Sequence, residues 1–112
     1  DLVKRRIPRR LKQFQRPTEA YLNNELDLPW SKLRVVASDR PGLLARLGII
    51  FVELGINVHS AKITTLGERV EDLFYISGKD GLPIRDAPRT AALTQAIRER
   101  LDLHVSEEAL AR

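Results

Sequence analysis

The chain has 112 residues, 43% of them hydrophobic and 30% charged, with no Cys and no Met. That length supplies one hydrophobic core and not two, and the apolar content excludes wholesale disorder. The lack of cysteine removes disulfides, thiolate metal ligands and cysteine nucleophiles together and fits a reducing, cytoplasmic setting, while no apolar run approaches the ~20 residues that a bilayer demands.

The formal net charge of +4 is unevenly spread. Residues 1–16 carry seven basic side chains, from Lys4 to Arg16, against Asp1 alone, whereas residues 17–112 carry 12 basic and 14 acidic ones. The basicity therefore belongs to an arm. Phosphates or anionic lipid would suit such an arm, but Phe14 is its only ring, so the stacked platform that holds bases is missing. It reads as a linker, with neither nucleic acid nor membrane as a partner. The missing initiator Met suggests a piece of a longer protein.

Residues 18–23 (TEAYLN) read as an edge strand, and residues 24–32, with Pro29 beside Trp30, as a loop. Residues 33–38 (LRVVAS) set Leu33, Val35 and Ala37 on one face and end at the turn Asp39-Arg40-Pro41-Gly42. Leu43, Leu44, Leu47, Ile50, Phe51 and Leu54 then recur at helical spacing, and Gly55 stops the helix. A second row, Ala45, Ile49 and Val52, would face water on a lone monomer and points to a partner. Residues 56–65 and 69–77 form an antiparallel hairpin through Leu66-Gly67-Glu68. In its first strand the apolar phase passes from Ile56 and Val58 to Ala61 and Ile63, which predicts a bulge near His59 and Ser60. In its second, Phe74 and Ile76 share one face while Leu73 and Tyr75 share the other, so both faces of the sheet are apolar. A loop through Gly81 and Pro83 leads to a second helix over 87–103, with Leu93, Ala96, Ile97 and Leu101 inward. Residues 104–112 are undecided.

This order predicts a ferredoxin-like α+β sandwich. Its sheet is four-stranded and antiparallel-dominated, with two helices on one face. The fourth strand comes from the N-terminal segment, because little β-forming sequence remains at the other end. The division is a basic linker over 1–16, one domain over 17–105 and a tail over 106–112.

Catalytic constellations are absent. Glu71 and Asp72 are strand neighbours and diverge to opposite faces, as do His59 and Ser60. Neither His59 nor His104 precedes an Asp, and no Gly-rich phosphate loop occurs. No catalytic residue and no metal ligand is assigned. One stretch, Asp39 to Leu44, carries binding chemistry. Free N–H groups at a helix start favour an anion, Gly42 admits a ligand close to the backbone, and Asp39 offers an acceptor for an ammonium. A free α-amino acid needs that pair of features. The same residues also read as scaffolding, with Asp39 as the helix N-cap and Pro41 and Gly42 shaping a turn. The residues alone leave both readings open.

Residues 36–47 (VASDRPGLLARL), then Leu54-Gly55-Ile56-Asn57-Val58 and Ala61-Lys62-Ile63-Thr64-Thr65, resemble an ACT domain, a small-molecule-sensing regulatory module. The continuation over 66–75 (LGERVEDLFY) is similar to the C-terminal ACT domain of bifunctional uridylyltransferase/uridylyl-removing enzymes, which act on the nitrogen regulatory protein PII. The resemblance implies a parent that adds uridylyl groups with UTP and magnesium when glutamine is scarce and removes them when it is plentiful. Catalysis would lie in other domains, and this module would sense glutamine. The implied ligand contacts are Asp39, Arg40, Pro41, Gly42, Leu43 and Leu44 at the turn, with Asn57 and His59 on the next strand. Two ACT domains packed side by side often share such a site, which would cover Ala45, Ile49 and Val52. Leu73 and Tyr75 would then meet the catalytic domains, or else serve a docking module with no ligand of its own. Asn57 also reads as a turn residue after Gly55, and His59 as a strand residue satisfied by backbone.

Overall fold

Period-two alternation of apolar and polar residues sets the sheet, and two apolar helical stripes cover one side of it. A computed structural model describes residues 17–39 and 41–110, with the side chains of 103–110 outside that description. The basic arm 1–16, Arg40 and residues 111–112 thus lie outside the described residues. The elements are β1 (Glu19–Asn23), β2 (Ser31–Ser38), α1 (Leu43–Glu53), β3 (Ile56–Leu66), β4 (Arg69–Gly78) and α2 (Ala87–Leu110). The strands lie in the order β1-β2-β4-β3, with every neighbouring pair antiparallel. This is the expected ferredoxin-like sandwich, and its fourth strand does come from the N-terminal side. Register pairs Glu19 with Val36 and Asn23 with Lys32. Two ties hold β1 to α2: the Thr18 hydroxyl donates to Asp102 at 2.7 Å, and the Arg98 guanidinium donates to the Ala20 carbonyl at 2.7 Å.

The core lies between sheet and helices. Leu33, Val35 and Ala37 of β2 meet Val70, Phe74 and Ile76 of β4 beneath buried side chains of α1 and α2. Phe51 meets Phe74 edge-on at 5.3 Å, which fixes α1 over β4. α1 also packs on β3, and α2 packs on β1. The hairpin turns in two residues, with Gly67 at φ 67°, as a type II′ turn requires of its first central position. The pairing shifts register between Val58 and Ser60, so His59 is the extra residue of a bulge, as the phase change predicts.

Three features differ from the expectation, and a fourth closes an open one. β2 starts at Ser31, two residues early, because the Ser31 hydroxyl accepts the Ile84 amide at 2.8 Å and donates to Asn24 at 2.6 Å. Those bonds let a polar side chain sit fully buried in a strand. Leu44 and Leu54 are exposed, so the buried stripe of α1 is Leu43, Leu47, Ile50 and Phe51. The helix N-cap is Gly42 and not Asp39, whose amide instead donates to the Glu68 carbonyl at 2.8 Å and stays tied to the hairpin. The α2 backbone runs on to Leu110, one of the courses that the sequence leaves open after residue 103.

Candidate functional site

The turn between β2 and α1 is built by two constraints. The Asp39–Glu68 backbone bond ends β2 beside the hairpin, and Gly42 at φ 81° swings the chain into the helix. A left-handed φ admits glycine at little cost and other residues only with strain. Among the described residues no side chain caps α1, and its first turn holds no acidic residue. The N–H groups of Leu43, Leu44 and Ala45 therefore have no intrahelical acceptor, while Arg46 bonds back to Gly42 at 3.0 Å. Among the described residues, a Cβ placed on Gly42 would meet nothing within 4 Å. An open, positively polarised backbone cup results, suited to a carboxylate. Asp39, Pro41, Gly42 and Leu44 are all exposed around it, while Leu43 points into the core.

Asn57 and His59 stand elsewhere. Asn57 pairs with Ser77, nine residues along β4 from Glu68, so roughly 30 Å of strand separates it from Asp39. Within one chain the two halves of the expected contact set are not brought together. Asn57 donates from its side-chain amide to the Gly78 carbonyl at 3.3 Å. His59 stacks on Trp30, rings 4.5 Å apart and 7° from parallel, above the fully buried Ser77. The Ser77 hydroxyl spends its hydrogen on the Gly78 carbonyl at 2.8 Å, so the 2.7 Å contact from His59 Nε2 is a donation by His59. The partner of His59 is thus a side chain, where its reading as a strand residue would have it satisfied by backbone. Trp30 was not among the expected site residues; its place in a breaker-rich loop hid the stack.

α1 turns Ala45, Ile49 and Val52 to the outside, Ile49 at 48% and Val52 at 77% exposure. The same helix packs on β3, an edge strand whose Val58, Ile63 and Leu66 are exposed. On the helix-free face of the sheet, Leu73 and Tyr75 are half-buried. The same face is charged beside them: Arg34, the register partner of Leu73, pairs with Glu71 and lies over the Tyr21 ring, and the Tyr21 hydroxyl donates to Glu19 at 2.7 Å.

One residue escaped the functional reading of the sequence. Asp72 is fully buried, and neither of its carboxyl oxygens has a hydrogen-bond partner among the described residues. Burial first, and the Asp39 charge second, push its pKa up to about 6. The signal was present as a carboxylate in the core phase of Val70, Asp72, Phe74 and Ile76. No three metal-binding side chains gather among the described residues, and none of their helices is long and apolar enough to cross a membrane.

Residues 31–102 match the ACT domain family. Over 108 residues the chain is 44% identical to the bifunctional uridylyltransferase/uridylyl-removing enzyme of Pseudomonas entomophila (strain L48), covering 96% of this chain and 12% of that protein. It is 43% identical over 100 residues to the enzyme of the same name from Stutzerimonas stutzeri (strain A1501), and 45% identical over 100 residues to that of Pseudomonas putida (strain GB-1). Those two matches each cover 89% of this chain and 11% of the relative, so the chain spans a small fraction of the length of these proteins.

Proposed function

The chain belongs to the ACT-domain family, and from that premise we propose that it is the glutamine-sensing module of a longer bifunctional uridylyltransferase/uridylyl-removing enzyme acting on PII. The observation that carries this reading is the uncapped start of α1, with Gly42 at φ 81° and open space in front of it. The α-carboxylate of the ligand takes the N–H groups of Leu43 and Leu44, and its ammonium takes Asp39. The side-chain amide is read by Asn57 and His59 of a second ACT domain, because one chain keeps these residues far from its own turn. Pairing side by side along β3 and α1 supplies them and covers Ala45, Ile49 and Val52. Occupancy then shifts the equilibrium between paired arrangements by the ligand's differential affinity for them. Magnesium and UTP belong, in this reading, to other domains of the parent.

Calorimetric titration of the chain with L-glutamine tests the reading, with L-glutamate as the control that lacks the amide. Glutamine binding that exceeds glutamate binding is expected. A folded, paired chain that takes up neither would overturn it. A second reading rests on the half-buried Leu73 and Tyr75 on the open face: a docking surface for the catalytic domains, with no ligand involved. In that case Leu73→Asp in the parent changes regulation while glutamine binding is unaltered.

A further inference from the structure

At the end of α1 far from Gly42, the apolar layer between helices and sheet opens to solvent. Leu54, Ile56, Ile84, Ala92 and Leu93 line a cavity of about 130 Å³ there, and Arg89 completes the wall. Ile56, Ile84 and Leu93 are buried and form the floor, while Leu54, Arg89 and Ala92 are exposed and form the rim. An apolar cavity of ~150 Å³ holds benzene, so this one accepts a branched alkyl group of about four or five carbons. Water finds too few partners on such a wall to be held well.

Glycine sets the place of the one charged group in the wall. Register pairs Gly78 of β4 with Ile56 of β3. Residues opposed in this way send side chains to the same face, about 5 Å apart. Gly78 sends none, and both terminal nitrogens of Arg89 lie 3.2 Å from where its Cβ would be. The guanidinium thus fills the side-chain space beside Ile56, at the edge of the cavity. Asp80 Oδ1 comes within 3.0 Å of the same point but accepts the Leu82 amide at 2.9 Å, and Asp86 Oδ2 accepts the Arg89 amide at 3.1 Å. Among the described residues Arg89 makes no ion pair. A second cation stands nearby: the Lys79 stem packs over Gly55, which separates Leu54 from Ile56, with its Cε 3.5 Å from the Cβ position.

We propose that this cavity is a second ligand site, for a short branched aliphatic carboxylate. The alkyl group fills the apolar interior, and the carboxylate takes the N–H groups of Arg89, with Lys79 adding charge at the rim. An amide-bearing or charged chain would lose its hydrogen bonds to water inside, and the two cations favour an anion at the mouth. The site is remote from the β2–α1 turn and does not rest on the amino-acid reading. Its occupant touches the end of α1, the start of β3 and the first turns of α2 together, and so braces the junction from which Asn57 and His59 extend.

The test is a methyl NMR titration of the chain with isovalerate, beside acetate, which lacks the alkyl group, and isoamyl alcohol, which lacks the charge. Isovalerate should shift the methyl signals of Ile56, Ile84 and Leu93 saturably, acetate should not, and the alcohol should bind on the order of tenfold more weakly. Arg89→Gln brings isovalerate down to the affinity of the alcohol, which itself is unchanged. Ala92→Leu puts a larger side chain into the rim and abolishes saturation. Both substitutions place good helix formers at exposed helix positions, so both variants fold. Saturation by isovalerate retained in Ala92→Leu, or absent from the wild-type chain, overturns the site. Equal affinity for isovalerate and the alcohol, or undiminished isovalerate affinity in Arg89→Gln, overturns the carboxylate assignment.

Discussion

Replacing Gly42 by alanine separates the ligand cup from the scaffold. The residue sits at φ 81°, and a Cβ there meets no atom of the described residues within 4 Å. The cost to the fold is thus conformational and not steric: about 1–2 kcal/mol for holding an L side chain in the left-handed region. For a domain of this size each kcal/mol lowers the melting temperature by roughly 4–8 °C, so Gly42→Ala remains folded at room temperature. The methyl projects into the space before the first N–H groups of α1, where the ligand carboxylate is proposed to lie. A displaced carboxylate loses charge-assisted hydrogen bonds, at about 1.5–3 kcal/mol each, so affinity falls at least about tenfold. Thermal melting and glutamine calorimetry on the same sample read both effects. Wild-type affinity in a variant whose melting point has dropped would show that the cup is a turn and nothing more.

Two other perturbations probe different parts of the molecule. Asp72 keeps its proton up to about pH 6 when folded, but loses it near 3.8, the ordinary value for a free Asp, when unfolded. The folded state therefore binds more protons between those values, and this residue removes stability as pH rises from 3.8 to about 6, with no further loss above. Subtracting the Asp72→Asn melting profile from the wild-type profile isolates that downward slope; a flat or rising difference would refute it. Val52→Glu places a charge on a side chain 77% exposed, so stability should change by no more than about 0.5 kcal/mol. Self-association by sedimentation, and glutamine binding with it, should weaken together, whereas unchanged sedimentation would remove α1 from the interface.

The fold was legible because its elements bury apolar side chains at periods the chain displays openly. Leu33, Val35 and Ala37 alternate, and Leu43, Leu47, Ile50 and Phe51 recur at helical spacing. A phase change around His59 marked the bulge before any coordinates. What stayed hidden depends on partners distant in sequence. Ser31 looks like loop until Ile84 and Asn24 satisfy its hydroxyl, and Asp39 looks like a helix cap until Glu68 claims its backbone. Trp30 and His59 form a stack that joins the start of β2 to β3 across β4, a contact no local pattern announces. Within the site, the turn could be read from residue types alone. The separation of Asn57 and His59 from it follows only when α1 and β3 are laid out at full length.

That separation gives the proposed sensor its logic. A cup complete within one chain would bind its amino acid whether or not the domain was paired, and binding would then carry no information to a neighbour. Here the turn proposed for the carboxylate and ammonium lies at one end of α1, and Asn57 and His59, proposed to read the amide, lie at the other, on the edge strand β3. A second domain placed antiparallel along that edge brings the far end of one chain to the turn of the other, with Ile49 and Val52 between them. Ligand and partner then favour each other by one and the same coupling free energy, because each binds better where the other is in place. The apolar flank supplies association without specificity, and the polar ends supply specificity without much association. On the proposed reading, an amino acid that fits the cup changes how two domains sit relative to each other.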